Sequence, residues 1–142
     1  MKFRTALIVE PAILEQKRAQ RQLQRAGFER TLVAESGPQA LTMLAAELVD
    51  LVLTPWDAPE LSGLELLRAL RKRRRGKSVP VVILDNGLPQ QIVVTAIKAG
   101  AAGRLGLPLA AAPLRKLLHA ISSGGKPTLE SKEEAANGNQ AP

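Results

Sequence analysis

The segment from Val49 to Leu70 reads VDLVLTPWDAPELSGLELLRAL, and it decides the fold of this chain. Its first part, Val49 to Thr54, is a short run with apolar residues on both faces, as in a strand that helices cover on both sides. The next part, Pro55 to Leu61, contains two prolines and no apolar period, which predicts a loop. From Leu64 to about Arg75 the apolar residues return at helical spacing. The segment therefore predicts a strand, a loop and a helix in succession.

The same alternation continues in both directions along the chain. In the first of the other helices, Ile13, Leu14, Ala19 and Leu23 form the predicted apolar stripe. Five strands that alternate with five helices predict an α/β fold, a doubly wound parallel sheet between two layers of helices. Functional residues in such a three-layer sandwich lie at the carboxyl ends of the strands. The other strands are predicted at 3–9, 30–35, 79–84 and 102–105, and the other helices at 13–26, 36–47, 89–99 and 110–122.

The composition of the chain limits the classes of function that it can have. The length of 142 residues fits one domain, placed at 1–123, followed by a polar tail at 124–142 that we expect to be disordered. The absence of cysteine excludes disulfides, thiolate catalysis and Cys-ligated zinc, and His119 alone provides no histidine cluster for a metal. The apolar runs are too short to span a membrane, and no signal-peptide pattern is present. We therefore predict a cytoplasmic protein.

The net charge of +7 comes from one segment. Seven of the 20 basic residues fall between Arg68 and Lys77, without an acidic residue, and the remaining basic residues match the 13 acidic ones in number. Cations around the last turn of a helix explain part of this cluster. Three interpretations of the rest of the cluster remain open: a solvated face, a site for an acidic protein, and a site for a phosphate ligand such as cyclic-di-GMP. Nucleic acid is a disfavoured ligand because the chain has only three aromatic residues to stack on bases. The anion-binding candidates are Arg71, Lys72, Arg73, Arg74, Arg75 and Lys77.

Several strand-to-helix junctions resemble one known family. Ala6 to Glu10, Asp50 to Thr54, Trp56 to Leu67, Val79 to Leu84 and Lys98 to Gly103 are similar, in order and spacing, to segments of the CheY-like receiver domain of two-component response regulators. The resemblance covers residues 3–122 and implies the flavodoxin-like (βα)5 fold. It also implies a phosphorylation pocket. In the family, an acidic pair holds Mg²⁺, an aspartate accepts the phosphoryl group, and a hydroxyl and a lysine bind its oxygens.

At those pocket positions this chain departs from the family. The acidic pair reads Glu10-Pro11, the acceptor is Pro55, the hydroxyl position is Asp85 and the lysine position is Leu107. Proline offers no nucleophile, and Asp85 repels a phosphoryl group. We therefore predict a degenerate pocket with no enzymatic activity, no cofactor and no metal site. Two alternatives stay open: Asp57 acts as a displaced acceptor, or Glu10, Asp57 and Asp85 bind Mg²⁺ instead of forming a solvated acidic rim.

The resemblance also implies a partner-binding face formed by the fourth helix, fifth strand and fifth helix. The fourth helix carries no charge before Lys98, so part of Val93, Val94 and Ile97 is expected to be exposed or to add to the core. The position of the family's aromatic switch residue is Arg104. We predict a phosphorylation-independent pseudo-receiver that binds a signalling protein, or a second copy, in bacterial two-component signalling. The alternatives are a cyclic-di-GMP or other phosphate-ligand sensor and an active receiver that uses Asp57. The partner-binding candidates are Gln91, Val94, Lys98 and Arg104.

Overall fold

The computed structural model describes residues 3–73 and 79–124. Strands and helices alternate along these residues, as the apolar pattern predicts. The strands are β1 (Thr5–Val9), β2 (Arg30–Ala34), β3 (Leu51–Pro55), β4 (Val81–Asp85) and β5 (Gly103–Gly106). The helices are α1 (Ile13–Arg25), α2 (Gly37–Ala46), α3 (Gly63–Lys72), α4 (Gln90–Lys98) and α5 (Ala111–Ser122). No helix among the described residues is both long and apolar enough to cross a bilayer.

All five strands lie in one parallel sheet with the order β2-β1-β3-β4-β5. The predicted doubly wound (βα)5 fold is therefore confirmed. The chain first moves outward from β1 to β2, then returns past β1 to β3, so the order reverses at the β1–β3 pair. Such a reversal leaves a crevice at the carboxyl ends of the strands. This edge carries Glu10, Pro55, Asp85 and Leu107, the pocket positions named above.

The core has two halves because successive strand residues point to opposite faces of the sheet. Leu7 and Val52 pack on one side, with Leu66 and Leu70 of α3 and Ala96 of α4. Ile8, Leu51 and Leu53 pack on the other side, with Leu23 of α1 and Leu114 of α5. Every residue of β4 is buried, as expected for a strand with helices on both faces. The helices α1 and α5 therefore lie opposite α2, α3 and α4.

Two details of the sequence interpretation are wrong. Ile13 and Leu14 are 68% and 59% exposed, because at about 100° per residue they lie well away from the Ala19–Leu23 stripe on the surface of α1. The helix α3 ends at Lys72 instead of continuing to Arg75, since Arg73 is already extended, with φ −84° and ψ 142°. The helix therefore ends within the cationic segment, with Arg68, Arg71 and Lys72 in its last turns. Arg74, Arg75 and Lys77 lie outside the described residues, as does the predicted tail beyond Gly124.

Gly63, the first residue of α3, positions the turn that follows β3. Its N–H donates to the carbonyl of Trp56 (2.8 Å), and a Cβ at this position would lie 2.7 Å from the carbonyl oxygen of Pro55. We expect Gly63→Ala to lower the free energy of unfolding by about 1–3 kcal/mol, because the backbone would have to shift. Urea denaturation measures this. Gly106→Ala, which places its Cβ in open space, is the matched control and should change stability by no more than about 0.5 kcal/mol.

Candidate functional site

The carboxyl edge of the sheet brings together the ends of β1, β3, β4 and β5. Pro55 is paired with Leu84 across β3 and β4, and Asp85 is paired with Gly106 across β4 and β5. The chain leaves β5 through Leu107 and a cis peptide bond to Pro108. Glu10 follows β1 on the same edge, and its N–H donates to the carbonyl of Ala34 in β2 (2.8 Å). The sequence placed these junctions correctly, since each one directly follows an apolar strand.

The end of β3 offers no group for covalent chemistry. Pro55 is its last residue, and the buried Thr54 before it donates its hydroxyl to the carbonyl of Pro55 (3.0 Å). Asp57 lies beyond the strand, exposed, in the turn that follows. Proline has neither a nucleophilic atom nor a backbone N–H, and the Thr54 hydroxyl is already bonded. The carboxylate nearest in sequence is therefore not part of the strand end.

The remaining acidic residue after β1 has a structural role. One oxygen of the Glu10 carboxylate accepts the N–H of Ala12 (2.9 Å), and the Glu10 carbonyl accepts the side-chain amide of Gln16 (2.7 Å). Ala12 is the N-cap of α1 and has no side chain that can cap the helix. Glu10 thus supplies an acceptor at a helix start that would otherwise lack a side-chain cap. Its neighbour Pro11 is exposed and provides no second carboxylate.

Asp85 and Arg104 form a largely buried ion pair. Oδ2 of Asp85 contacts Nε of Arg104; the carboxylate side chain is fully buried, and the arginine side chain is 18% exposed. These two atoms form an ion pair without a hydrogen bond. Oδ1 of Asp85 also accepts the N–H of Leu88 (2.6 Å). The expectation of a solvated carboxylate at this position is wrong, because Arg104 on the neighbouring strand compensates the buried charge.

The geometry of the sheet explains this pair. Gly106 is opposite Asp85 in the parallel register, and Arg104 lies two residues earlier on β5, on the same face. A side chain as long as arginine reaches such a diagonal neighbour. Arg104 is therefore occupied inside the fold, although the sequence interpretation assigned it to a partner face. The available signal was a basic residue in the short strand β5, at the edge of the sheet, beside a strand that ends in an acid.

A cleft of about 400 Å³ lies between α1 and the segment that follows β5. Its polar side chains include Glu10, Glu15, Arg18 and Asn86, and the apolar Leu107 lies on its wall, 40% exposed. Arg18 is 3.5 Å from Glu15 in an exposed ion pair, so the one cation of the lining is already paired. Two carboxylates and a leucine make this cleft unfavourable for a phosphate group.

Comparison with known proteins identifies the family. The profile of the response regulator receiver domain matches residues 6–119. The chain belongs to the response regulator receiver family. A CheY chemotaxis protein of Pseudomonas aeruginosa is 33% identical over 95 residues, which cover 67% of this chain and 77% of that protein. The fold agrees with solved receivers. CheY4 of Vibrio cholerae has a TM-score of 0.76 at 23% identity, with 84% of this chain and 99% of that chain covered.

Another solved receiver contains a metal ion. The receiver domain of a sensor histidine kinase of Pseudomonas aeruginosa has a TM-score of 0.72 at 24% identity, with 83% and 96% of the two chains covered, and it holds a magnesium ion in its active site cleft. The residues of the present receiver do not fit that ion. Glu10 is bonded to the start of α1, and Asp85 is paired with Arg104. Within residues 3–73 and 79–124, no three acidic or histidine side chains are close enough to hold a metal.

The α4 face of this receiver is only partly apolar. Val93 is buried, and Val94 and Ile97 are only partly exposed. Gln91 and Val94 line a shallow depression of about 530 Å³. The most exposed large apolar residues of the described chain lie elsewhere, at Ile13, Leu14, Leu48 and Leu107. Extra core packing therefore accounts for Val93, and the candidate partner surface on α4 consists of Gln91, Val94 and Lys98.

The cations of the basic cluster of this receiver differ in what they contact: some bind the backbone, and others are exposed to solvent. The guanidinium of Arg71 donates to the carbonyls of Val79 and Gly100 (2.8 Å each), and its burial lowers the pKa of Arg71 from the ordinary value. Arg73 donates to the carbonyl of Leu41 (3.1 Å). These two cations therefore bind the backbone of the receiver itself. Lys72 is exposed. Lys98, which was predicted to lie on the partner face, lines the same groove as Arg68, Arg71 and Lys72.

Proposed function

We propose that this receiver acts without phosphorylation, as a protein-binding module in bacterial two-component signalling that performs no chemistry of its own. The observation that carries the proposal is Pro55, which ends β3 at the position where the family resemblance places the phosphoryl acceptor. A phosphoryl group can be transferred only to a nucleophile, and the proline ring has none. Loss of the acceptor is sufficient to remove the covalent step, whatever the rest of the pocket does.

The electrostatics of the pocket support the same proposal. Phosphoryl transfer depends on cations that neutralise the charge of the transferred group. Leu107 occupies the lysine position with an apolar side chain, and Pro11 replaces one of the two metal-binding acids. Glu10 uses its carboxylate at the start of α1. With neither a lysine nor an acidic pair, the carboxyl edge of this sheet would bind phosphate poorly even if a nucleophile were restored.

The Asp85–Arg104 pair supports a fixed output face. By the family resemblance, these residues occupy the positions of the hydroxyl and the aromatic residue that couple phosphorylation to the partner surface. In this chain an ion pair links the two positions and joins the end of β4 to β5. A two-state switch needs a ligand that favours one state over the other. The ion pair needs no ligand, so the face of α4, β5 and α5 is proposed to remain in one arrangement and to signal through partner binding alone.

Exposure to a phosphoryl donor tests the proposal directly. Purified protein incubated with acetyl phosphate and Mg²⁺ should keep its intact mass, and beryllofluoride with Mg²⁺ should leave its amide NMR spectrum unchanged. The CheY protein of Pseudomonas aeruginosa, treated in parallel, controls the reagents. A phosphoryl adduct on this chain would overturn the proposal. If that adduct disappeared in Asp57→Asn, the chain would instead be an active receiver with a displaced acceptor.

A further inference from the structure

The structure brings the basic segment of α3 and Lys98 of α4 to one groove. Arg68, Arg71 and Lys72 lie at helical spacing on α3. Thr95 and Lys98 lie at the same spacing on α4, and Ala99 is the C-cap of that helix. These faces line a shallow groove of about 410 Å³ between the C-terminal halves of the two helices. In the sequence, Lys98 is separated from the other cations by β4 and most of α4. The groove is thus a product of the fold.

The base of the groove is held in place by Arg71. Its guanidinium donates to the carbonyl of Gly100, directly after α4, and to the carbonyl of Val79, ahead of β4. Gly100 has a φ of +110°, and a Cβ there would lie 3.0 Å from Nε of Arg71. The hydrogen bond from Arg71 to Gly100 joins the end of α4 to α3. Arg71 therefore positions the two helices, while Arg68, Lys72 and Lys98 present their charges to solvent.

The three exposed cations have no acidic partner among the described residues. The ion pairs there join Arg18 with Glu15, Arg30 with Glu47, and Arg104 with Asp85. Glu65, the nearest acidic residue along α3, accepts the N–H of Ser62 in a capping box. Three like charges at one groove repel each other and attract an anion. An acidic occupant would relieve that repulsion.

We propose that the α3–α4 groove binds an acidic, Asp- and Glu-rich segment of the partner protein, an inference that rests on the protein-binding role proposed above. Both helices present C-terminal ends here, at Lys72 and Lys98, and these ends lack the free N–H groups that bind a phosphate. No aromatic side chain lines the groove to stack on a base. Carboxylates spaced along an extended segment, in contrast, can pair with cations that are spread over two helices.

The candidate partner surface lies on the same helix as one wall of the groove. Gln91 and Val94 lie on the same face of α4 as Lys98, at intervals of three and four residues. They line the neighbouring depression. A partner segment that crosses α4 would therefore meet a polar and an apolar contact next to the cations. This shared helix face favours a protein segment over a free ion as the occupant.

A labelled peptide tests this proposal. The probe is a fluorescein-labelled octapeptide of glutamate and aspartate, titrated with the full chain at low salt and followed by fluorescence anisotropy. A peptide of glutamine and asparagine is the uncharged control. We expect saturable binding of the acidic probe, weakened by added salt, and an affinity at least about tenfold lower for the double variant Arg68→Glu/Lys98→Glu.

A matched charge reversal makes the test specific. Lys17→Glu/Arg21→Glu changes the net charge by the same amount on exposed positions of α1, on the opposite face of the sheet. This control should retain the parent affinity. Equal loss in both double variants, or no binding of the acidic probe, would contradict the proposal. Binding of ADP or pyrophosphate that is lost in Arg68→Glu/Lys98→Glu, without peptide binding, would assign the groove to a phosphate ligand instead. Each outcome is independent of the acetyl phosphate experiment, so the two proposals can fail separately.

Discussion

Replacing Arg104 with leucine should lower the free energy of unfolding by about 3–5 kcal/mol, because it leaves the Asp85 carboxylate buried without a compensating cation. The Asp85 side chain is fully buried, and its ion-pair partner among the described residues is Arg104. The 18% exposure of Arg104 admits some water and should bring the loss toward the lower end of that range. Urea denaturation followed by circular dichroism at neutral pH measures the effect.

Two further variants separate the ion pair from a general loss of packing. Arg18→Leu removes an exposed ion pair and should cost at most about 1 kcal/mol. Asp85→Asn combined with Arg104→Leu removes both charges and keeps a side-chain oxygen as acceptor for the N–H of Leu88. That double variant should regain most of the stability lost in Arg104→Leu. If Arg104→Leu were no more destabilising than Arg18→Leu, the buried pair would not stabilise the carboxyl edge.

The fold could be predicted from the sequence because its signals are local. Leu51, Val52 and Leu53 are apolar on both faces, and α3 begins at a glycine preceded by a serine cap. Such patterns repeat for each strand and helix, and parallel strands all end at the same edge of the sheet. The positions of Pro55 and Asp85 at that edge therefore followed from the chain itself. The contacts of each side chain at that edge could not be predicted from the sequence.

The missed features depend on contacts between distant segments. The Asp85–Arg104 pair requires the register of β4 and β5, which the apolar pattern leaves undetermined. The groove between α3 and α4 needs the packing of two helices whose order in space the sequence does not state. Arg71 looked like any other member of a basic run, yet it binds two backbone carbonyls. Charge counts along a chain cannot distinguish a cation bound to the backbone from one that remains free for a partner.

Restoring the family residues should restore phosphorylation, whereas Pro55→Asp alone should restore it only at a much lower rate. Pro55→Asp alone supplies a nucleophile at the end of β3, while Asp85, Leu107 and Pro11 still leave the pocket without a hydroxyl, a lysine or a full acidic pair. Loss of a single preorganised electrostatic contact typically slows a reaction by about 10²–10³-fold. We therefore expect Pro55→Asp to react at least about 100-fold more slowly with acetyl phosphate than a variant in which these positions are also restored.

The restored variant combines Pro11→Asp, Pro55→Asp, Asp85→Thr, Arg104→Tyr and Leu107→Lys. Arg104 must change together with Asp85, because it would otherwise remain largely buried without its ion-pair partner. Intact mass spectrometry after acetyl phosphate and Mg²⁺ should show one added phosphoryl group, and the same variant with Pro55→Asn should show none. Circular dichroism first establishes that both variants fold. If Pro55→Asp alone were labelled as fast as the full combination, proline would be the sole barrier, and the cationic and metal-binding losses would have no effect on the chemistry. If the folded combination remained unlabelled, the barrier would lie outside these five positions.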